Sequence, residues 1–432
     1  MRRRFYMNTK QSSFYLPKNV ILLLLIAIMG IGCNNYDLPE VVNITPPVEN
    51  GKVLLPTIKT KLEGIYKVTR GRELLGDTVI FKWNSQNNLT VLGGTNGFYS
   101  VIKGIQKDST IYLYGYWRYA LNSETGRINF KMTPTEGSNL ILVNNQTRPQ
   151  NFSLKGDFGL GNNPSERVIE LTYIRPFVEK VLRDDFQILA HRSGGRTSDL
   201  LSISENSLEM IEFTENLGST GIEIDVRLTK DGVPVLYHDE DINIRLTQKS
   251  PLNGPIADYT FAEISRFIRL VNGERIPKLE DALLKVVDST NLKVVWLDMK
   301  SETNTMAKVI PIQQKMQERA KLKKRDLSIY IGLPDDQTFT FFKTYPNYQN
   351  VPSLCELTPE NVREINAQVW APRWTLGTLQ SEVSLMHKEG RKVYCWTLDN
   401  EAFIRKYIKE GDFDGILTNY PSIVAYYHYI RK

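Results

Sequence analysis

At 432 residues the chain is too long for one average domain, and 41% hydrophobic with 24% charged residues is the balance of a globular protein. The formal charge of +6 is no nucleic-acid footprint. Arg2, Arg3, Arg4, Lys10 and Lys18 carry five of those charges ahead of the first acid, Asp37, and leave about +1 for the rest.

The basic start is followed by the apolar run "NVILLLLIAIMGIG" and then by Cys33. About 13 apolar residues is short for a membrane span and suits the h-region of an export signal. With Gly30 and Gly32 just before Cys33, residues 1–33 resemble a bacterial lipoprotein signal, although Gly30 stands where such signals usually carry Leu. The resemblance implies that Cys33 is lipidated and that the body is exported and tethered to the membrane of a bacterial cell envelope, periplasmic or at the surface. The other reading is an uncleaved N-terminal anchor. Residues 34–51, with Pro39, Pro46 and Pro47, read as a stiff tether. Cys355 and Cys395 each sit in an apolar stretch and are expected as buried free thiols.

Residues 52–180 are short β runs such as "TVIFKW" and "RINFKM", separated by "NSQNN", "GGTNG" and "NSETG". This pattern predicts a small all-β domain, sandwich or barrel, with no histidine or cysteine. Its "YLYGYWRY" (112–119) could offer rings to a sugar or lipid; plain alternation between core and surface is the favoured reading. From 184 to 432 strands alternate with helices. "FQILAH", "GIEIDVRL", "VPVLYHD", "LKVVWLDMK", "DLSIYIGL", "NVPSLCEL", "AQVWAPRW", "KVYCWTL" and "FDGILTNYP" are the expected strands. "SENSLEMIEFTENLG" reads as a helix with Ser204 as a plausible N-cap, and Pro311 should kink or interrupt another helix. His387 and His428 lie on amphipathic helices and are expected at the surface. About eight such units in roughly 250 residues predict an α/β fold, a (β/α)8 TIM barrel, behind the all-β domain.

Catalytic groups of such barrels sit at the C-terminal strand ends. There the sequence places His191 and Arg192, Glu223 and Asp225, His238 and Asp239, and Asp298 and Lys300. Glu223 and Asp225, at i and i+2, share one face of a strand and can reach one cation, with Asp298 supplying a third oxygen. The bland alternative is a pair of exposed edge charges. An all-oxygen set suits one divalent cation, Mg²⁺ or Ca²⁺. His191 and His238 could divide acid and base duties, and Arg192 and Lys300 add positive charge for a phosphoryl group. Asp239 is expected to orient or cap its strand end without binding metal. These residues together point to metal-assisted phosphodiester cleavage.

In order and spacing, "HRSGG" (191–195), "ENS" (205–207), "EIDV" (223–226), "TKDG" (229–232), "HD" (238–239), "RLT" (245–247), "PKLE" (277–280), "DMK" (298–300), "WT" (396–397) and "TNYP" (418–421) resemble the glycerophosphodiester phosphodiesterase family over about 186–423. The resemblance implies hydrolysis of a glycerophosphodiester to an alcohol and glycerol 3-phosphate. It implies His191 and His238 as the acid/base pair, Glu223, Asp225 and Asp298 around the cation, Glu205 close by, Arg192 and Lys300 on the phosphate, and Trp396 lining the pocket. It also implies that the substrate's own glycerol hydroxyl can attack first, giving a cyclic phosphate that water opens. Ser193 stands where the family has glycine, Asp298 where it has Glu, and Asn419 where it has Asp. The alternatives are a phospholipase of the same fold acting on intact lipid or phosphoinositol substrates, and a non-catalytic envelope binding lipoprotein.

Overall fold

The computed structural model describes residues 42–143, 149–163, 165, 167–183, 185–195, 200–300 and 303–432. Cys33, the signal segment and most of the tether lie outside the described residues. Eight strands build the barrel of the N-terminal domain: β1 (Gly64–Arg70), β2 (Thr78–Trp83), β3 (Leu89–Gly93), β4 (Tyr99–Lys107), β5 (Thr110–Arg118), β6 (Thr125–Met132), β7 (Ser153–Phe158) and β8 (Arg167–Arg175), and the two-residue strand Lys52–Val53 pairs with the end of β4. Each pairs antiparallel with its sequence neighbours and β1 pairs with β8, so the domain is a closed up-and-down barrel. The period-2 pattern drives closure: on β6, Ile128, Phe130 and Met132 are buried while Lys131 is exposed. Rings fill the interior, with Trp117 stacked on Phe158 at 4.2 Å and Phe152 on Tyr173 at 4.5 Å. "YLYGYWRY" therefore divides its rings between the core and the outer face.

The second barrel has eight parallel strands: β9 (Gln187–Ala190), β10 (Gly221–Leu228), β11 (Val294–Met299), β12 (Ser328–Leu333), β13 (Ser353–Cys355), β14 (Val369–Trp370), β15 (Lys392–Cys395) and β16 (Gly415–Thr418). Pairing of β9 with both β10 and β16 closes it. Leu189, Trp296, Tyr330, Leu354, Ala371, Tyr394 and Leu417 fill the inside. Gly332 is required there, because a Cβ would lie 2.4 Å from the Trp296 indole nitrogen. "VPVLYHD" contributes Pro234–Leu236, which folds back antiparallel on β10 and is not a barrel strand. The helix Met306–Leu322 runs unbroken through Pro311. Cys355 and Cys395 are buried free thiols. Among the described residues no helix is long and apolar enough to cross a membrane.

The two barrels share one core. Ile65, Ile80, Leu92 and Tyr99 on the outer face of β1–β4 join the same buried cluster as Leu217, Ile423, Val424 and Tyr426. Asn84 and Asn88 each donate to Asn216 Oδ1, and Arg118 donates to the carbonyl of Leu200, in the loop that follows β9. This contact corrects the expectation for His428. The helix Pro421–Tyr429 packs between the barrels, so His428 is only 3% exposed, stacked on Phe186 at 4.8 Å. Burial and the adjacent Arg431 charge push His428 down to about 3. Its folded value lies below the ordinary one, so its contribution to stability is complete above about pH 6.5 and is lost as pH falls toward 3. The expected slope is about 1.4 kcal/mol per pH unit. Urea unfolding of His428→Gln between pH 7 and 4 should show a shallower decline than the parent protein. His387 stays half exposed and bonds Asp414 at 2.8 Å.

Candidate active site

Alternation inside the second barrel places one inward position per strand at its mouth, two residues beyond the apolar layer. Leu189 is followed by His191, Trp296 by Asp298, Leu354 by Glu356, Ala371 by Arg373, Tyr394 by Trp396 and Leu417 by Asn419. On β10, Glu223 pairs in register with Trp296 and Asp225 with Asp298. All three acids of the expected cluster thus point inward, and one oxygen from each lies within 4.8 Å of the others. Glu223 and Asp225 are buried, so the edge-charge alternative fails.

Lys300 lies 2.5 Å from both Asp225 Oδ1 and Asp298 Oδ2. The structure therefore pairs Lys300 with carboxylates. Burial pushes Glu223 well above the usual carboxylate range, helped by the charges of Asp225 and Asp298. Burial and Asp225 likewise push Asp298 up, against the pull of Lys300. Burial opposes ionisation of Asp225, but Lys300 overcomes it and holds that carboxyl low. Glu223 Oε1 and Asp298 Oδ1 are buried without a hydrogen-bond partner. Unpaired buried oxygens and an ammonium drawn onto the same carboxylates show that these residues fit a cation.

Both imidazoles are fixed from behind. Asp399 can only accept, so Asn419 turns its Nδ2 to Asp399 Oδ2 at 2.7 Å, and Asn419 Oδ1 must accept from His191 Nδ1–H at 2.9 Å. That leaves His191 Nε2 facing the cluster, 3.8 Å from Glu223 Oε2. Burial, with the Arg192 charge, pushes His191 down to about 4. His238 Nδ1 donates to Asp239 Oδ1 at 2.6 Å, and its Nε2 accepts from Arg192 at 2.8 Å. Asp239 is itself held by Arg245 at 2.7 Å and Asn243 at 2.7 Å.

The turn after β9 makes this possible. Arg192 (φ 52°) and Ser193 (φ 63°) are both left-handed, a conformation costing non-glycine residues about 1–2 kcal/mol each. The turn aims the Arg192 N–H at Glu223 Oε2, 2.7 Å away. A left-handed backbone explains why glycine suits position 193. Ser193 is tolerated with its hydroxyl donating to the Arg192 carbonyl at 2.6 Å.

Glu205 lies beyond Arg192, bonded to Arg192 and Arg245 at 3.3–3.4 Å, and is outside the three-acid cluster. Trp396 lines the mouth, donating to the Ala371 carbonyl at 2.8 Å. The N-cap of the following helix is Ser207, which accepts from Met210 N–H; Ser204 instead donates to Glu274. Residues 205 and 206 are diverted to the site, where left-handed Asn206 (φ 57°) donates to Asp225 Oδ2 at 2.7 Å and accepts from the Asp225 N–H. Asn206, Arg245, Asp399, Glu356 and Arg373 went unassigned in the sequence. The "ENS" and "RLT" motifs held signals for the first two; the other three follow only from strand parity and long-range contact.

The family model described as "Glycerophosphoryl diester phosphodiesterase family" matches residues 191–423. A glycerophosphodiester phosphodiesterase of Bacillus altitudinis is 25% identical over 232 residues, 50% of this chain and 89% of its own. Glycerophosphodiester phosphodiesterase 1 of mouse is 33% identical over 128 residues, 28% of this chain and 34% of its own. Among solved structures, an Oleispira antarctica phosphodiesterase in complex with the product sn-glycerol-3-phosphate aligns with 55% of this chain and 94% of its own, at 19% identity and TM-score 0.44. A glycerophosphodiester phosphodiesterase of Parabacteroides distasonis aligns with 56% and 95%, at 24% identity and TM-score 0.45. The matched span begins at His191 and takes in every site residue named above. With the motif order of the sequence and the inward acids of the barrel mouth, it makes the chain a member of the glycerophosphoryl diester phosphodiesterase family and a phosphoric diester hydrolase.

Proposed function

We propose that the protein hydrolyses glycerophosphodiesters to an alcohol and glycerol 3-phosphate, with His191 and His238 as the acid/base pair. The observation that carries this reading is the pair of imidazoles, each fixed at Nδ1, bracketing one cluster of buried acids. Glu223, Asp225 and Asp298 would hold the cation, Mg²⁺ or Ca²⁺ by their all-oxygen chemistry. When bound, that cation supplies charge neutralisation at the phosphoryl oxygens.

The groups behind the two histidines differ, and so do the roles we assign. His191 has a neutral amide behind it and is held neutral, so its Nε2 takes the proton from the attacking glycerol hydroxyl. His238 is held at Nδ1 by a carboxylate, and we assign it the proton delivered to the departing alkoxide as the P–O bond breaks: when the ring is protonated, Arg192 turns from Nε2 to the phosphoryl group and leaves Nε2–H free to donate. In the second half, water adds to the cyclic phosphate. His238 takes the water's proton and His191 gives its proton to the glycerol oxygen released. Arg192 lies between His238 and Glu205 and is placed to contact a phosphoryl oxygen. Lys300 orients the acids and adds positive charge. Activity abolished by a chelator and restored by Mg²⁺ or Ca²⁺ would support this reading. Full activity in the chelator would sink it.

We also propose that Cys33 carries a lipid anchor in the cell envelope, on the signal-like run that precedes it. Cys33→Ser is expected to abolish labelling by a fatty-acid probe; labelling that persists would refute the anchor.

A further inference from the structure

We propose that Glu356 and Arg373 form a head-group subsite that selects a zwitterionic alcohol, one bearing both an ammonium and a carboxylate, as the departing group. This inference rests on the phosphodiesterase reading above and narrows its substrate class.

The two residues occupy the inward positions at the ends of adjacent strands β13 and β14. The ladder continues to both, through the Glu356 N–H on the Leu333 carbonyl and through the bridge between Arg373 and Trp396. They therefore stand on the wall of the mouth away from the β9 and β10 ends that carry His191, Glu223 and Asp225. Among the described residues, neither side chain makes a hydrogen bond, and neither is in an ion pair within 4.0 Å. The Arg373 guanidinium instead lies over the Trp396 indole, 4.7 Å from the ring centroid, with its N–H donors unused. Every other charged side chain named at this mouth has a partner.

An unpartnered carboxyl group, an unpartnered guanidinium and the indole beneath it define the ligand by exclusion. An alcohol with only a quaternary ammonium satisfies Glu356 and the indole but leaves Arg373 facing a like charge. A polyol satisfies hydrogen bonds but neutralises neither charge. A head group with both an ammonium and a carboxylate pairs with Glu356 and Arg373 together, and a guanidinium takes a carboxylate in its bidentate geometry. The subsite moves no proton. The bond broken remains the P–O bond to this alcohol, and the proton still comes from His238.

The test is kcat/KM of the full chain, supplemented with divalent cation, on glycerophosphoserine, glycerophosphoethanolamine, glycerophosphocholine and glycerophosphoglycerol. Glycerophosphoserine should lead the panel by about tenfold or more, the scale of one well-placed charge pair. Glu356→Gln and Arg373→Met should each flatten that ranking toward unity, chiefly through KM, with circular dichroism and melting temperature confirming the fold. Activity with an even ranking, or a ranking led by choline or glycerol, would overturn the subsite and leave the phosphodiesterase reading standing. A serine preference that survives in both variants would also overturn it. Activity on none of the four would overturn the phosphodiesterase reading itself.

Discussion

His191→Ala should lower kcat on the order of 10²–10⁴-fold with little change in KM, the usual range for a positioned acid or base. His191 Nε2 is the imidazole nitrogen facing the acid cluster without a hydrogen bond, and its Nδ1 is anchored through Asn419 to Asp399. Asn419→Ala keeps the imidazole but releases its orientation, so it should cost less, about 10–100-fold. A rate loss for Asn419→Ala as large as that for His191→Ala would show that the amide does more than position the ring. Parent-like turnover of His191→Ala would remove it from the chemistry.

Glu223→Gln should separate function from stability. Activity should fall on the order of 10²–10³-fold as one oxygen of the cluster is lost. In the presence of chelator, however, the variant should melt no lower than the parent protein and should resist unfolding slightly better. The substitution removes a buried charge that burial, Asp225 and Asp298 all disfavour, and glutamine can still accept the Arg192 N–H. Lys300→Met should do the opposite. It strips the partner from Asp225 and Asp298, and removing one side of a buried pair costs about 3–5 kcal/mol. Thermal melts of both variants with and without divalent cation check the pair. A Glu223→Gln protein that is destabilised in chelator would show that the acid serves the fold.

The sequence carried the parts of this protein that depend on local periodicity. Strand spacing announced the TIM barrel and an all-β domain, sandwich or barrel, ahead of it, and the i, i+2 pair Glu223 and Asp225 on one apolar strand announced a cluster pointing inward. Contact between distant segments stayed hidden. His428 looks like a surface histidine on one helix, and packing against the distant Phe186 buries it. That Lys300 lies between Asp225 and Asp298 is visible only in the folded chain. Asp399 sits in a loop with no pattern of its own, and Arg245 and Asn206 sit in motifs that named no role for them, yet each fixes a site residue. Ser204 and Ser207 are both sound N-caps by type. The choice of Ser207 follows from Asn206 reaching back to Asp225, which pulls the start of the helix past it.

The most direct test of the proposed reaction is ³¹P nuclear magnetic resonance of a glycerophosphodiester incubated with the protein and divalent cation. The diester signal should decay into that of glycerol 3-phosphate, with no phosphate left on the departing alcohol and with the conversion stopped in His238→Ala. An unchanged diester signal, or phosphate appearing on the alcohol, would contradict the account.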